Sequence, residues 1–399
     1  MNPASQLAGQ SRLPDVGTTI FAVMSQMAVR HGAINLSQGF PDFACPPRLR
    51  ELVTEAMAAG HNQYAPMPGV PALRERIAQK VADLYGPQID LDTEITVTAG
   101  ATEALFVAIQ AVVRPGDEVI VFDPAYDSYA PAVRLAGGRC IHLPLRAPDY
   151  AIDFDALADA IGPRTRLIVV NSPHNPTGSA FGSEDLERLE QVTADSDAFL
   201  LSDEVYEHIV FDGRDHQSLL RSPALRARSF VVSSFGKTYH TTGWKIGYCI
   251  APPRMTTEFR KIHQYVTFAI STPMQHAIAA FMADPSFHLE LPAFYQAKRD
   301  LFRQALANSG WTLLPCRGTY FQLMGYDNIS NLPDVEMAEW LTRELGVGCI
   351  PVSVFNADGR DERILRFCFA KDDSTLEAAA GKLRALDRDP ATGRFGPGE

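Results

Sequence analysis

Residues 94–123 read EITVTAGATEALFVAIQAVVRPGDEVIVFD, and this stretch decides the fold. Glu94–Thr98 is a short β-branched run, Thr102–Val113 has a helical pattern, and Glu118–Phe122 is a second β-branched run. The same alternation continues outward. Further runs lie at Arg139–Leu143, Arg166–Val170, Ala198–Ser202, Ser229–Ser233 and Ile246–Ile250, with another helical stretch at Ser183–Thr193. Strands that alternate with helices predict an α/β fold, a mostly parallel seven-stranded sheet with helices on both faces. The gap from Ser233 to Ile246 is too short for a full crossover helix, so the seventh strand is expected to run antiparallel.

After about Thr272 the pattern changes. Helical stretches dominate, followed by shorter strand candidates at Thr319–Met324, Val347–Ile350 and Ile364–Phe369. These predict a smaller α+β domain. The expected division is a large domain over 46–280 and a small domain formed by 1–45 with 281–387. Residues 388–399, rich in Gly, Pro and charge, read as a frayed tail.

The 399 residues carry 36 Lys plus Arg against 47 Asp plus Glu, a net charge of −11. That balance disfavours a nucleic-acid binder or a protein docked on an anionic membrane. No apolar run reaches the ~18 residues of a membrane span. The polar start of the chain lacks a signal-peptide layout, so a cytoplasmic location is expected. Six scattered cysteines without a CxxC read as reduced, buried thiols. HExxH, GxGxxG and GxxxxGK[ST] are absent from the sequence, and no metal site is expected.

In open α/β sheets, ligands bind beyond the carboxyl ends of the strands. The first strand is followed by Ala99-Gly100-Ala101-Thr102, small residues that open a helix and leave free N–H groups for a phosphate. The second is followed by Tyr126 and Tyr129, aromatic faces; the fourth by Asn175 in a rigid Pro-rich turn; the fifth by Asp203-Glu204-Val205-Tyr206; the sixth by Ser234-Phe235-Gly236-Lys237. Singly, each has a plain structural explanation as a helix start, a turn, a cap or core packing. Lys237 and Lys245 stand apart. The chain has only seven lysines, and these two lie within nine residues, among Phe, Gly, Tyr, Thr and Trp. A lysine in such a setting is a candidate for a lowered pKa and for covalent chemistry with a carbonyl group. With an anion site, an aromatic plate and an acid able to face a ring nitrogen, the parts match a pyridoxal phosphate enzyme.

The motifs resemble the fold-type I, class I/II aminotransferases, over roughly Leu13 to Leu386. The carriers are Ser37-Gln38-Gly39-Phe40-Pro41-Asp42-Phe43, Asn62-Gln63-Tyr64-Ala65-Pro66, Ala99–Leu105, Ser233–Tyr239, Gly243–Tyr248 and Arg366–Lys371. They are most similar to the branch that holds kynurenine aminotransferases, glutamine transaminase K and bacterial methionine aminotransferases. The resemblance implies pyridoxal 5'-phosphate carried on Lys237, whose amine also shuttles a proton. It implies Asp203 facing the pyridine nitrogen, Asn175 and Tyr206 on the phenolic oxygen, and Tyr126 stacked on the ring. Gly100, Ala101, Thr102, Ser234 and Lys245 would hold the phosphate, with Tyr64 reaching it from a neighbouring subunit of a homodimer. Arg366 would fork the substrate α-carboxylate, helped by Gly39 and Asn175.

Phe21, near the N-terminus, and Phe268, from the partner chain, are the expected walls of an apolar side-chain pocket. Phe21 stands where kynurenine aminotransferases often have Trp, a departure that slims the pocket. The implied reaction moves the amino group of L-methionine, or of an aromatic or other neutral amino acid, to a 2-oxo acid by a ping-pong route. The alternatives are a kynurenine/glutamine-type aminotransferase or a C–S β-lyase on the same cofactor.

Overall fold

A computed structural model describes residues 11–388 and 395–397. Its centre is a seven-stranded sheet built from β2 (Ile95–Thr98), β3 (Glu118–Asp123), β4 (Arg139–Pro144), β5 (Thr165–Asn171), β6 (Phe199–Asp203), β7 (Ser229–Ser234) and β8 (Gly247–Ile250), which follow the short β1 (Ile34–Asn35) in the chain. The spatial order is β2-β8-β7-β6-β5-β3-β4. Only β8 runs against its neighbours, pairing antiparallel with β2 and with β7. All seven expected strands are present, and the seventh has the expected sense.

Burial on both faces explains why these strands read as nearly continuous apolar runs. Val119 and Val121 of β3, with Leu167 and Val169 of β5, join the core under helix Gly100–Val112. The intervening Ile120, Phe122, Ile168 and Val170 join the core on the other face. A period of two therefore feeds two cores at once. Helix Gly100–Val112 is apolar almost all round because the sheet lies on one side and helix Pro253–Val266 on another.

The smaller antiparallel sheet has β9 (Thr312–Leu313), β10 (Phe321–Gly325), β12 (Ile350–Pro351) and β13 (Ile364–Cys368), in the order β12-β13-β10-β9. The chain before residue 45 is stitched onto this layer. β1 pairs in parallel with β11 (Val347–Gly348), and the Cys368 N–H donates to the Leu36 carbonyl at 2.8 Å. That stitching carries Ser37-Gln38-Gly39 over the carboxyl edge of the large sheet.

Three expectations need correction. The run Thr319–Met324 becomes a strand only at Phe321, because Thr319 has a left-handed φ of 64°. The run Val347–Ile350 splits at Cys349 into β11 and β12, which belong to different sheets. Of the six cysteines, all free, Cys249, Cys316, Cys349 and Cys368 are buried, but Cys45 and Cys140 are only half-buried. Where the small domain was expected to give way to the tail, Leu386–Arg388 pairs antiparallel with Phe395–Pro397. The rest of that tail, and the first ten residues, lie outside the described residues. No helix among the described residues is long and apolar enough to cross a membrane.

Candidate active site

Strands β2, β3, β5, β6 and β7 all end at one edge of the sheet, and the antiparallel β8 begins there. This places Lys245, two residues before β8, beside residues that follow the other strands. A cleft at this edge encloses about 700 Å³ of space, part of it open to solvent. Its lining includes Gly100, Ala101, Thr102, Tyr126, Asn175, Asp203, Tyr206, Ser234, Lys237 and Lys245, all foreseen from the sequence.

One end of the cleft is an anion cradle. Gly100 opens its helix at φ 73°, and its α-carbon faces the Lys245 side chain closely enough that an added Cβ would lie 3.4 Å from Lys245 Nζ. Gly247 lets β8 approach the same turn: a Cβ there would meet Ala101 N at 2.9 Å. The Glu103 carboxylate accepts the Ala99 N–H at 2.8 Å and fixes the turn, leaving the first-turn N–H groups to point outward.

Asp203 lies at the floor, buried. Its Oδ2 accepts the Tyr129 hydroxyl at 2.7 Å, whereas its Oδ1 has only the Val205 N–H at 3.4 Å. Burial raises the Asp203 pKa to about 6, opposed by the hydrogen bond from Tyr129. One carboxylate oxygen is thus left for a donor in the cleft. Tyr126 forms a wall, with its ring edge-on to Tyr129.

Lys237 donates from Nζ to the Gly39 carbonyl at 2.9 Å, and Tyr320 donates its hydroxyl to the same oxygen. The ammonium lies 5.7 Å from the Tyr206 ring centre and 5.5 Å from that of Tyr320. Burial lowers its pKa to about 8; Arg366 and Lys245 push it the same way, and Cys368 and Asp203 pull against them.

Arg366 is buried in β13 with no ion-pair partner among the described residues. Its Nη1 donates to Asn175 Oδ1 at 2.7 Å and its Nη2 to the Ser37 carbonyl at 2.9 Å, while Nε has no partner. The guanidinium carbon lies 3.9 Å from the Phe321 ring centre, 5.1 Å from Phe21 and 5.7 Å from Phe355. Because Asn175 turns its oxygen to Arg366, its amide NH₂ is left to donate.

The two residues expected from the neighbouring subunit lie outside this chain's own cleft. Tyr64 is 84% exposed and packs edge-on against Phe268, itself 48% exposed, with ring centres 5.4 Å apart. Sequence reasoning missed other groups. Tyr129 reads in the sequence only as an aromatic face after the second strand; its role as the partner of Asp203 was missed, although its spacing of three residues from Tyr126 puts both rings on one side of a helical turn. The Ser37 carbonyl, Thr242, Phe321 and Phe355 carry no local signal. Among the described residues, no group of three or more His, Cys, Asp or Glu could hold a metal ion.

Comparison with known proteins agrees with this geometry. The family model for aminotransferase class I and II matches residues 31–383. A methionine aminotransferase of Escherichia coli (strain K12) is 54% identical over 381 residues, covering 95% of this chain and 99% of that protein. A probable N-succinyldiaminopimelate aminotransferase, DapC, of Mycobacterium tuberculosis (strain ATCC 25618 / H37Rv) is 38% identical, covering 96% and 99%. The crystal structure of YbdL from Escherichia coli, identified as a methionine aminotransferase, superposes with a TM-score of 0.92 at 54% identity, covering 94% of this chain and 98% of that one.

Proposed function

The chain belongs to the class I and II aminotransferases, which use pyridoxal phosphate, and from that premise we propose that it moves the amino group of L-methionine to a 2-oxo acid. The observation that carries the reading is Arg366: a buried guanidinium with neutral acceptors only, beside a lysine of lowered pKa. A buried cation with no carboxylate in ion-pair contact, and only the more distant charge of Asp127 to offset it, is costly. Both Nη groups and an unpartnered Nε offer a planar fork that an α-carboxylate completes.

The residues of the cleft fit the cofactor. The Gly100–Thr102 turn, Ser234 and Lys245 suit its phosphate, the open oxygen of Asp203 suits a protonated ring nitrogen, and Tyr126 supplies a flat wall. The bound cofactor condenses with amines through its aldehyde and takes up the electron pair released when a Cα–H bond breaks. The protein does the rest. Lys237 Nζ, whose pKa burial lowers to about 8, would take the proton at the substrate Cα. Asp203, as carboxylate, would face a protonated ring nitrogen. Tyr206 and the Asn175 amide would donate to the ring's oxygen. Arg366 and the Gly39 segment orient the amino acid so that its Cα–H faces Lys237.

The methionine preference rests on the pocket and the relative. The rings of Phe21, Phe321 and Phe355 surround the carboxylate fork. The thioether of methionine suits aromatic walls. An apolar pocket separates homologous side chains by only ~1–3 kcal/mol, so other neutral donors also react. The active unit is a homodimer in the cytoplasm. Tyr64 and Phe268 stand exposed beside Tyr265, 87% exposed, and Val266, a face suited to a second copy of the chain.

The test is the absorbance of the purified protein before and after L-methionine without an oxo acid. Conversion of the aldehyde-cofactor band to the amine-form band is expected. A band untouched by methionine but shifted by kynurenine or phenylalanine would reject the donor. Pyruvate and ammonia released from a cysteine S-conjugate without oxo acid would favour the lyase. No band after soaking with pyridoxal phosphate would reject the roles of Lys237 and Asp203.

A further inference from the structure

The two layers that meet over the cleft are bracketed by a carboxylate outside it. Asp123 ends β3 and is buried. Its Oδ2 accepts the Ala357 N–H at 2.8 Å from a loop of the smaller layer, and its Oδ1 lies 2.9 Å from His142 Nδ1 on β4. Two residues along, the Ala125 N–H donates to the Phe355 carbonyl at 2.8 Å. The bracket thus joins the segment that leads into Tyr126 to the segment that carries Phe355. Phe355 in turn flanks the Arg366 guanidinium and lies 5.7 Å, centre to centre, from Phe21.

The loop is held at both ends by carboxylates. Asp334, from its own layer, accepts the Ser353 N–H at 2.8 Å and the Ser353 hydroxyl at 2.6 Å. Asp123, from the other layer, holds Ala357. Only a carboxylate can accept on two sides at once. An asparagine at 123 keeps its Oδ1 on the Ala357 N–H only by turning its NH₂ to His142, which accepts it at Nδ1 as a neutral imidazole, so the bond to Ala357 is no longer charge-assisted. The pairing also keeps His142 charged: the hydrogen bond to Asp123 pushes its pKa up to about 10. An ionised acceptor makes the cross-layer bond stronger than an ordinary amide–carbonyl bond.

We propose that Asp123, braced by His142, is a positioning residue for substrate recognition: by holding Ala357 it fixes Phe355 as a wall of the α-carboxylate pocket around Arg366. The proposal rests on the reading of Arg366 as the carboxylate fork. Without the Asp123 bond, the loop is tied to the large layer only by the Ala125 N–H on the Phe355 carbonyl and the Arg360 guanidinium on the Leu145 carbonyl, the Phe355 wall loosens, and water reaches the Arg366 guanidinium. A hydrated guanidinium binds carboxylate more weakly, because its field is screened. The chemistry at Lys237 is left intact, since no member of the bracket lines the cleft floor.

The test uses the holoenzyme, with kcat and KM for L-methionine and the dissociation constant of 3-(methylthio)propanoate, a carboxylate without an amino group, read from the cofactor absorbance. Asp123→Asn is expected to raise both KM and the dissociation constant about tenfold, the scale of one hydrogen bond to a charged group, with kcat within about twofold. Ala357→Pro removes only the donor, and Asn356 before it already has the extended φ −94°, ψ 126° that a following proline favours. It should give the same split and serves if Asp123→Asn does not fold. Unchanged binding in Ala357→Pro and Asp123→Asn, while Arg366→Lys loses binding, overturns the bracket. A fall in kcat at constant KM overturns it too. If Arg366→Lys binds the probe like the parent, the carboxylate assignment fails, and the bracket's role fails with it.

Discussion

Replacing Tyr129 by Phe should move the pH at which the apoenzyme takes up pyridoxal phosphate. Tyr129 makes the one short hydrogen bond to the Asp203 carboxylate, at 2.7 Å, and its ring packs against Tyr126. Phe keeps the ring and removes the donor. A hydrogen bond to a charged group contributes about 1.5–3 kcal/mol, which is about one to two pKa units. The Asp203 pKa of about 6 should therefore rise to roughly 7–8. The ionised carboxylate is the form that faces a protonated ring nitrogen, so affinity climbs as pH passes upward through this pKa.

At pH 7 the ionised fraction falls from about 0.9 in the parent to between about 0.1 and 0.5 in the variant. Cofactor affinity should therefore fall roughly two- to tenfold at pH 7 and recover by pH 9. The assay is a titration of apoenzyme with pyridoxal phosphate, followed by absorbance from pH 5.5 to 9. The cofactor's own ionisations cancel in the ratio of variant to parent. A ratio that stays flat across this range, or a midpoint that moves down, refutes the assignment of Tyr129 and Asp203 as a coupled pair.

Three further outcomes are expected. Asp203→Asn should raise the melting temperature of the apoenzyme at pH 7.5 while abolishing transamination. A buried carboxylate with a pKa raised from 3.8 to about 6 adds stability below pH 3.8 that is lost as pH rises through 6, about 3 kcal/mol at 1.36 per unit; an apoenzyme melt that is unchanged or lower would contradict this. Glu207 accepts from Lys80, Tyr85, Ser233 and Tyr248 in the core beneath β7. Glu207→Leu should cost about 3–5 kcal/mol in a urea melt by leaving Lys80 unpaired, and the Lys80→Met/Glu207→Leu double should recover much of the loss; purely additive losses would show that the pair is not coupled. Mixing inactive Lys237→Ala subunits with Tyr64→Ala subunits should restore activity, because one site per hybrid then has both residues; no recovery after subunit exchange is shown would mean that Tyr64 does not serve the neighbouring site.

Much of the cleft was legible because strand ends in an alternating α/β chain converge on one edge. Once Ser229–Ser233 is read as a strand, Lys237 must lie just past its carboxyl end, near Asp203 past Ser202. Lys245 was legible through its company rather than its spacing: β8 returns antiparallel, so the residue before it lands on the same edge. Arg366 stood out as a lone charge inside Leu365, Phe367, Cys368 and Phe369. The side-chain walls were not readable in this way, since Phe321 and Phe355 sit in apolar stretches that could serve any core.

The sequence by itself determined the sheet, the sense of its last strand and the set of groups beyond its edge, because period and punctuation are local properties of the chain. Only the tertiary structure decided which of these groups touch. Tyr129 meets Asp203 across 74 residues of sequence, Asn175 meets Arg366 across 191, and Lys237 meets the Gly39 carbonyl across 198. The pKa values of Lys237 and Asp203, like the bracket from Asp123 to Ala357, arise from burial and charge at such meetings. Burial and distance belong to the packed layers, and no stretch of sequence carries them alone.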